Sequence, residues 1–260
     1  MSGMEQQDIV FPEYSEECPD GVYERITVVE EEQTDADGVM HPADLVRQIQ
    51  VMVEQHLDRY SGTTVKALQD AALSWIIVWN ELTIVRLPKA GEQIRMRVWA
   101  SKKKTVMHSR KCALYTMSGE PLVTTAALFI LMDQKTRKMA QDPPELAQQI
   151  VVKIPGEPKL PKMMMQFPET YTDVVDRVVQ PEEIDKYGHM NNAHYLDWMD
   201  DLRSQTELKD HVLKKIWIEY TKELREGQKA ELKYKIEDNT LYLVGSSENE
   251  QRFLLKADYL

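Results

Sequence analysis

In "EEIDKYGHMNNAHYLDWMDD", residues 182–201, a carboxylate, a glycine, a histidine and two asparagines fall within eight residues, and an apolar, helix-like run follows at once. Asp185 and His189, four residues apart at the mouth of a helix, are the parts of an acid–base site. Gly188 lets the backbone come close to a bound carbonyl, and N–H groups at a helix start can polarise it. Asn191 and Asn192 can cap the helix or hold the loop. The same residue types also build ordinary turns and caps. The motif alone does not separate the two readings.

An internal repeat does. "TVVEEEQTDADGVMHPADL" (27–45) aligns with "RVVQPEEIDKYGHMNNAHY" (177–195) at an offset of 150 residues. Val28, Val29, Asp35, Gly38, Met40 and Ala43 meet Val178, Val179, Asp185, Gly188, Met190 and Ala193. At the position of His189 the first copy has Val39, and for Asn191-Asn192 it has His41-Pro42. Glu223 stands four residues before Gly227; four before the matching Gly91 is Leu87. The framework repeats and the reactive groups do not. That asymmetry is expected where one copy is catalytic and the other shapes a pocket. Asp185, His189 and Glu223 are therefore the catalytic candidates, with Tyr187, Gly188, Asn191 and Asn192 as positioning residues.

The elements that must carry these groups follow from periodicity. Leu45, Ile49, Met52, Val53, Leu57 and Tyr60 recur at helical spacing before Gly62; Tyr195, Trp198, Met199 and Leu202 do so in the second copy. Each copy then alternates as strands do. Ile94, Met96 and Val98 follow Gly91, and Ala230, Leu232, Tyr234 and Ile236 follow Gly227. Further strands are expected in "RKCALYTM", "PLVTTAALFILMD", "TLYLVGSS" and "RFLLKADYL", with turns at Ser118-Gly119 and Asp238-Asn239. The glycine-to-glycine distance is 53 residues in the first copy and 39 in the second, about one helix less. Strand, helix and an antiparallel run of strands make an α+β unit, and two such units can join their sheets. The expected division is a loose N-terminal arm (1–20), a first unit (21–140), a proline-rich linker (141–169) and a second, catalytic unit (170–260). Met163, Met164 and Met165 in the linker are expected to pack on the body.

The run Asp185-x-x-Gly188-His189-x-Asn191-Asn192-x-x-Tyr195 resembles the signature of hotdog-fold thioesterases. With two copies in one chain, the sequence resembles the bacterial form of the acyl-ACP thioesterases of fatty-acid synthesis. "LTIVRLPKAGEQIRMRVW" and "IEYTKELREG" are similar to that family's segments, and the likeness covers roughly residues 20–260. The resemblance implies a tandem hotdog fold, each unit a helix wrapped by an antiparallel sheet. It implies chemistry in the second unit and release of a free fatty acid from acyl carrier protein. The family's Asp-x-Asn-x-His followed by a Glu on a later strand matches Asp185, His189 and Glu223. Tyr187 takes the Asn position, and Leu224 stands where plant members carry a Cys. The family's first unit sets chain-length preference, so Trp75 and Trp79 of "ALSWIIVWNEL", expected just before the strands of the first copy, are the acyl-pocket candidates, beside a core or interface role. A thioester is already activated, so a positioned water or carboxylate, a base and oxyanion donors suffice. Hydrolysis of acyl-CoA and acyl binding without turnover are the alternatives.

Composition sets the outer limits. The 260 residues suffice for one large or two small domains, and no apolar run approaches the ~20 residues of a membrane span. The N-terminus lacks the basic-then-apolar order of a signal peptide, and two cysteines make no disulfide framework; a cytoplasmic protein is expected. Thirty-two basic against 43 acidic residues, a net charge of −11, argue against nucleic acid as a partner. No Cys/His cluster, phosphate loop or G-x-S-x-G elbow suggests a metal or organic cofactor. A homodimer is possible. An acidic carrier would need a local basic surface, and Lys102, Lys103, Lys104, Arg110 and Lys111, or Lys214 and Lys215, are the docking candidates.

Overall fold

Apolar residues every three or four positions wind the first helix, α1 (Pro42–Tyr60), whose buried face runs from Leu45 through Ile49 and Met52 to Leu57. Pro42 opens it, where a missing N–H costs nothing. It ends where the N–H and hydroxyl of Ser61 both donate to the Leu57 carbonyl (3.1 and 2.6 Å) and Gly62 turns to φ +75°. α2 (Val65–Asp70) is short and capped by Thr64, whose hydroxyl accepts the Ala67 N–H at 3.0 Å. The second copy carries only α3 (His194–Arg203). The computed structural model describes residues 11–104 and 106–260.

Eleven strands form one sheet: β1 (Val22–Val28), β2 (Leu73–Ile84), β3 (Gln93–Lys104), β4 (Met107–Thr116), β5 (Pro121–Asp133), β6 (Lys138–Met139), β7 (Asp173–Val178), β8 (Leu213–Tyr220), β9 (Lys229–Glu237), β10 (Thr240–Ser247) and β11 (Glu250–Tyr259). Their order is β1-β3-β4-β5-β2-β8-β11-β10-β9-β7, with β6 paired to β5, and every pairing is antiparallel. Read outward from the β2–β8 joint, the two halves have the same order. In each, the strand that follows the helices sits at the joint and the last long strand lies beside it. The joint runs from Trp79↔Glu219 to Thr83↔Lys215. One core spans it: α1 and α3 pack with Ile94, Met96 and Val98 of one half and Ala230 and Leu232 of the other. The expected turns occur at Gly119 (φ +88°) and at Asp238-Asn239 (φ +48° and +60°), the conformation of a tight hairpin.

Three expectations change. Trp75 and Trp79 lie inside β2, not before the strands: a bulge between Ile77 and Trp79 keeps the strand paired with β5 through both. Residues 11–20 are not loose. Phe11 and Tyr14 pack on Tyr115, each with ring centroids 5.4 Å from it, and Tyr115 donates to the Pro12 carbonyl at 3.0 Å. The stretch from 141 to 169 lies along the outer face. Val152 donates to the Ala100 carbonyl (2.9 Å), and Trp217 donates to that of Lys162 (2.8 Å). Within it Met163 and Met165 are half-buried, while Met164 points to solvent. The sheet is thus covered on both faces over β3 and β4.

Candidate active site

The repeat is reproduced hydrogen bond by hydrogen bond. Asp35 N–H donates to the Val39 carbonyl and Gly38 N–H to that of Asp35 (2.9 and 3.0 Å); Asp185 N–H donates to His189 and Gly188 N–H to Asp185 at the same distances. A short 3-10 turn precedes each loop, boxed by Glu30 with Gln33 in one copy and by Gln180 with Glu183 in the other. Met40 N–H reaches Pro88, and Met190 N–H reaches Leu224 (2.9 and 2.8 Å). The sequence therefore folds the two loops alike, and differences between them are differences of side chain.

In the first loop Asp35 Oδ1 accepts from Asp37 N–H and Val39 N–H, both at 2.9 Å. In the second, Asp185 Oδ1 accepts from Tyr187 N–H at 2.8 Å and lies 3.9 Å from His189 Nδ1, too far for a hydrogen bond. Among the described residues, no hydrogen bond engages the His189 N–H. Gly188 has φ +82° and open space where a Cβ would be, so it serves the turn and leaves the approach clear. Asn191 Oδ1 takes the Ala193 N–H at 2.9 Å at the start of α3, and the Asn192 carbonyl accepts the Tyr220 hydroxyl at 3.3 Å. His194 is held between Arg47 (3.1 Å) and Asp197 (2.8 Å), a bracing position between the two helices.

Glu223 lies three residues beyond the end of β8, not on a strand. The chain leaves the ladder where the Arg252 carbonyl takes the N–H groups of both Thr221 and Lys222 (2.8 and 3.1 Å), and the next residues pair with the 185–190 loop through Leu224. Glu223 is thereby carried to the loop that holds His189. Its carboxylate accepts from Arg225 at 3.1 Å and is also paired with Arg137. Burial pushes the Glu223 carboxyl up. The hydrogen bonds from Arg137 and Arg225, with the charges of Arg137 and His189, outweigh that and hold it below the usual carboxylate range.

Tyr187 is 41% exposed, and its phenol reaches the first unit rather than His189: Gln69 Nε2 donates to it at 3.1 Å. The neighbouring Lys186 pairs with Glu54 at 3.1 Å. Trp75 packs between the main core and a smaller cluster with Leu68 and Leu131, beside the His108 ring at 4.7 Å. Among the described residues, the buried indole N–H groups of Trp75 and Trp79 meet no hydrogen-bond partner.

Arg110 and Lys111 do not offer the expected docking surface. Arg110 and Lys111 are 3% and 4% exposed. Strand alternation turns Arg110 inward with Cys112 and Leu114, and burial lowers its pKa to about 9. Lys111 turns outward, under the connecting segment, where it pairs with Glu157 at 2.7 Å. The side chains of Lys102, Lys103 and Lys104 lie outside the described residues. Lys214 and Lys215 are engaged at the joint, with the Val85 carbonyl (3.0 Å) and Glu81 (2.9 Å). Sequence reasoning missed Arg137, Gln69 and Glu54, since nothing near them in the chain announces partners more than 80 residues away.

Solved structures share this architecture over nearly their whole length. An acyl-ACP thioesterase from Bacteroides thetaiotaomicron superposes with a TM-score of 0.81 at 15% identity, covering 92% of this chain and 98% of that one. The 12:0-ACP thioesterase of Umbellularia californica gives 0.81 at 14%, covering 94% and 99%. The fold is that of a tandem hotdog. Family models for the N-terminal and C-terminal domains of acyl-ACP thioesterase match residues 20–150 and 172–256, and the chain belongs to that family. Among curated relatives, a chloroplastic acyl-carrier-protein hydrolase of Cuphea viscosissima is 26% identical over 162 residues, 58% of this chain and 38% of the relative. The chloroplastic palmitoyl-acyl carrier protein thioesterase of Cuphea hookeriana is 24% identical over the same shares. The matches thus span well under half of these relatives' length.

Proposed function

We propose that the chain hydrolyses the thioester of acyl carrier protein to a free fatty acid, with Asp185, His189 and Glu223 as its reactive groups. One observation carries the reading. Two loops share their backbone hydrogen bonds, and only the second gathers a histidine and two carboxylates, Glu223 being kept ionised beside His189. A carboxylate there can take a proton from water as its oxygen attacks the thioester carbonyl. The carbon–sulfur bond then breaks, and a proton passes to the leaving thiolate, for which His189 is the placed carrier. The free N–H of His189 is available to the developing oxyanion. Membership of the family supports the substrate class.

The natural partner on this reading is an acyl carrier protein, in the cytoplasm. Among the described residues, no helix is long and apolar enough to cross a membrane. Arg225 at the site and Lys186 beside it would offer positive charge to a phosphopantetheine arm, a group that carrier protein and CoA share. The first unit would shape the acyl pocket, with Trp75 and Trp79 as lining candidates. Hydrolysis assays on carrier and CoA thioesters of matched chain length test the proposal. Cleavage of carrier thioesters that is lost in Glu223→Gln supports it; binding without turnover refutes it.

A further inference from the structure

We propose that the corner of the first unit built by α2 and the β5–β6 hairpin completes the active site, with Arg137 as the positioning residue that aims Glu223 at His189. The inference rests on the hydrolase reading and adds to it a part supplied from outside the unit that holds the reactive groups.

One piece of this corner is enlarged over its counterpart: where the first copy has the six-residue α2, the second has a four-residue 3-10 turn between α3 and β8. The pieces are joined to each other, since Gln134 N–H donates to the Ala72 carbonyl at 2.8 Å, just past the end of α2. The hairpin is built for its shape. Asp133 Oδ1 accepts the N–H groups of Lys135 and Thr136 (2.9 and 2.8 Å), and the Asp133 carbonyl accepts that of Arg137 (2.9 Å). Arg137 has φ +57°, a conformation uncommon for a residue with a side chain. From this corner Gln69 holds the Tyr187 hydroxyl and Arg137 holds the Glu223 carboxylate. This corner of the unreactive copy therefore holds two residues of the reactive one, Tyr187 and Glu223.

The surroundings of Glu223 leave this task to Arg137. Arg225 is the second cation on its carboxylate, and its side chain is 63% exposed. Arg252 of β11 reaches only the Glu223 backbone carbonyl, at 3.3 Å. Tyr195 of α3 is kept neutral by burial, and His189 completes the set. Arg137 comes from a separate, internally braced element, so its guanidinium fixes a direction as well as a charge.

The test measures kcat and KM against pH on acyl carrier protein thioesters for the full chain, Arg137→Ala, Arg137→Lys and Lys138→Ala. It adds an NMR titration of the Glu223 carboxyl, assigned with Glu223→Gln. Arg137→Ala should lower kcat about tenfold, the order for one charge-assisted hydrogen bond, with KM little changed. Its acid limb should move to higher pH, Arg137→Lys should recover part of the loss, and added guanidinium should restore Arg137→Ala. Lys138→Ala should behave as the parent. A parent-like kcat and pH profile in Arg137→Ala overturns the inference. If the parent hydrolyses nothing, the hydrolase reading falls and the titration alone decides: a raised Glu223 midpoint in Arg137→Ala keeps the bracket, and an unmoved one removes it.

Discussion

Asp35 and Asp185 perform the same turn, and only one stands beside a histidine. The aspartate is thus first a structural residue, to which the second copy adds His189 and Glu223. Substitution separates the two jobs. Asparagine keeps the acceptor that the turn needs, so Asp185→Asn should stay folded while kcat falls by about 10²–10⁴, the usual worth of a placed acid or base. Asp35→Asn should leave both the melting temperature and kcat unchanged. Equal losses of activity in the two variants would show that the turn, not the chemistry, was at stake. Asp185, His189 and Glu223 stand out as candidates in the sequence because the first copy repeats the framework without the last two. Arg137 does not, because its partner is distant in sequence and its aim depends on a hairpin. Arg110 and Lys111 misled for another reason: a run of cations reads as a solvated patch, and here a covered strand turns one into the core and the other beneath a crossing segment.

At the scale of elements, periodicity located α1 closely, and alternation located β3 and β9, because one face of each is buried against the same core. What it could not show is what covers the other face, hence the misjudged arm. Two elements carry measurable consequences. In β10, Gly245 lies under the Phe253 ring of β11, and an added Cβ would meet that ring inside contact distance. Gly245→Ala should cost about 1–3 kcal/mol in urea unfolding, and an unchanged midpoint would mean that the ring moves freely aside. On α1, His56 is fully buried, donates from Nε2 to the Gly21 carbonyl (3.1 Å), and has a pKa lowered to about 4, chiefly by burial. Its unfolded pKa lies near 6.5, so the unfolded chain binds the extra proton first as pH falls. The stability from neutral His56 is complete above about 6.5 and is lost down to about 4. Urea midpoints at pH 7 and 5 should differ, and His56→Gln should shrink that difference. If both proteins respond to pH alike, His56 is not the group responsible.

For the whole molecule, the joint decides behaviour. One continuous sheet and one shared core leave neither unit a finished surface at β2 or β8. Arg47 of α1 binds Asp197 of α3 at 2.5 Å, tying the helices as well. Unfolding should therefore be a single transition, coincident by tryptophan fluorescence and far-UV circular dichroism, and two separated transitions would contradict a shared core. On the proposed reading, the same joint lets the copy without these groups serve the reaction, because it brings α2 and the β5–β6 hairpin against the residues around the 185–190 loop.

The most direct test of the account is thioester hydrolysis by the purified full chain. Octanoyl-, dodecanoyl- and palmitoyl-carrier protein would be offered beside the matching acyl-CoAs, with Asp185→Asn and Glu223→Gln as controls. Carrier thioesters should be cleaved, both variants should fail while remaining folded, and chain-length preference should emerge from the series. Acyl carrier protein that binds but is never hydrolysed would contradict the account, and would make the chain a binder built on a thioesterase fold.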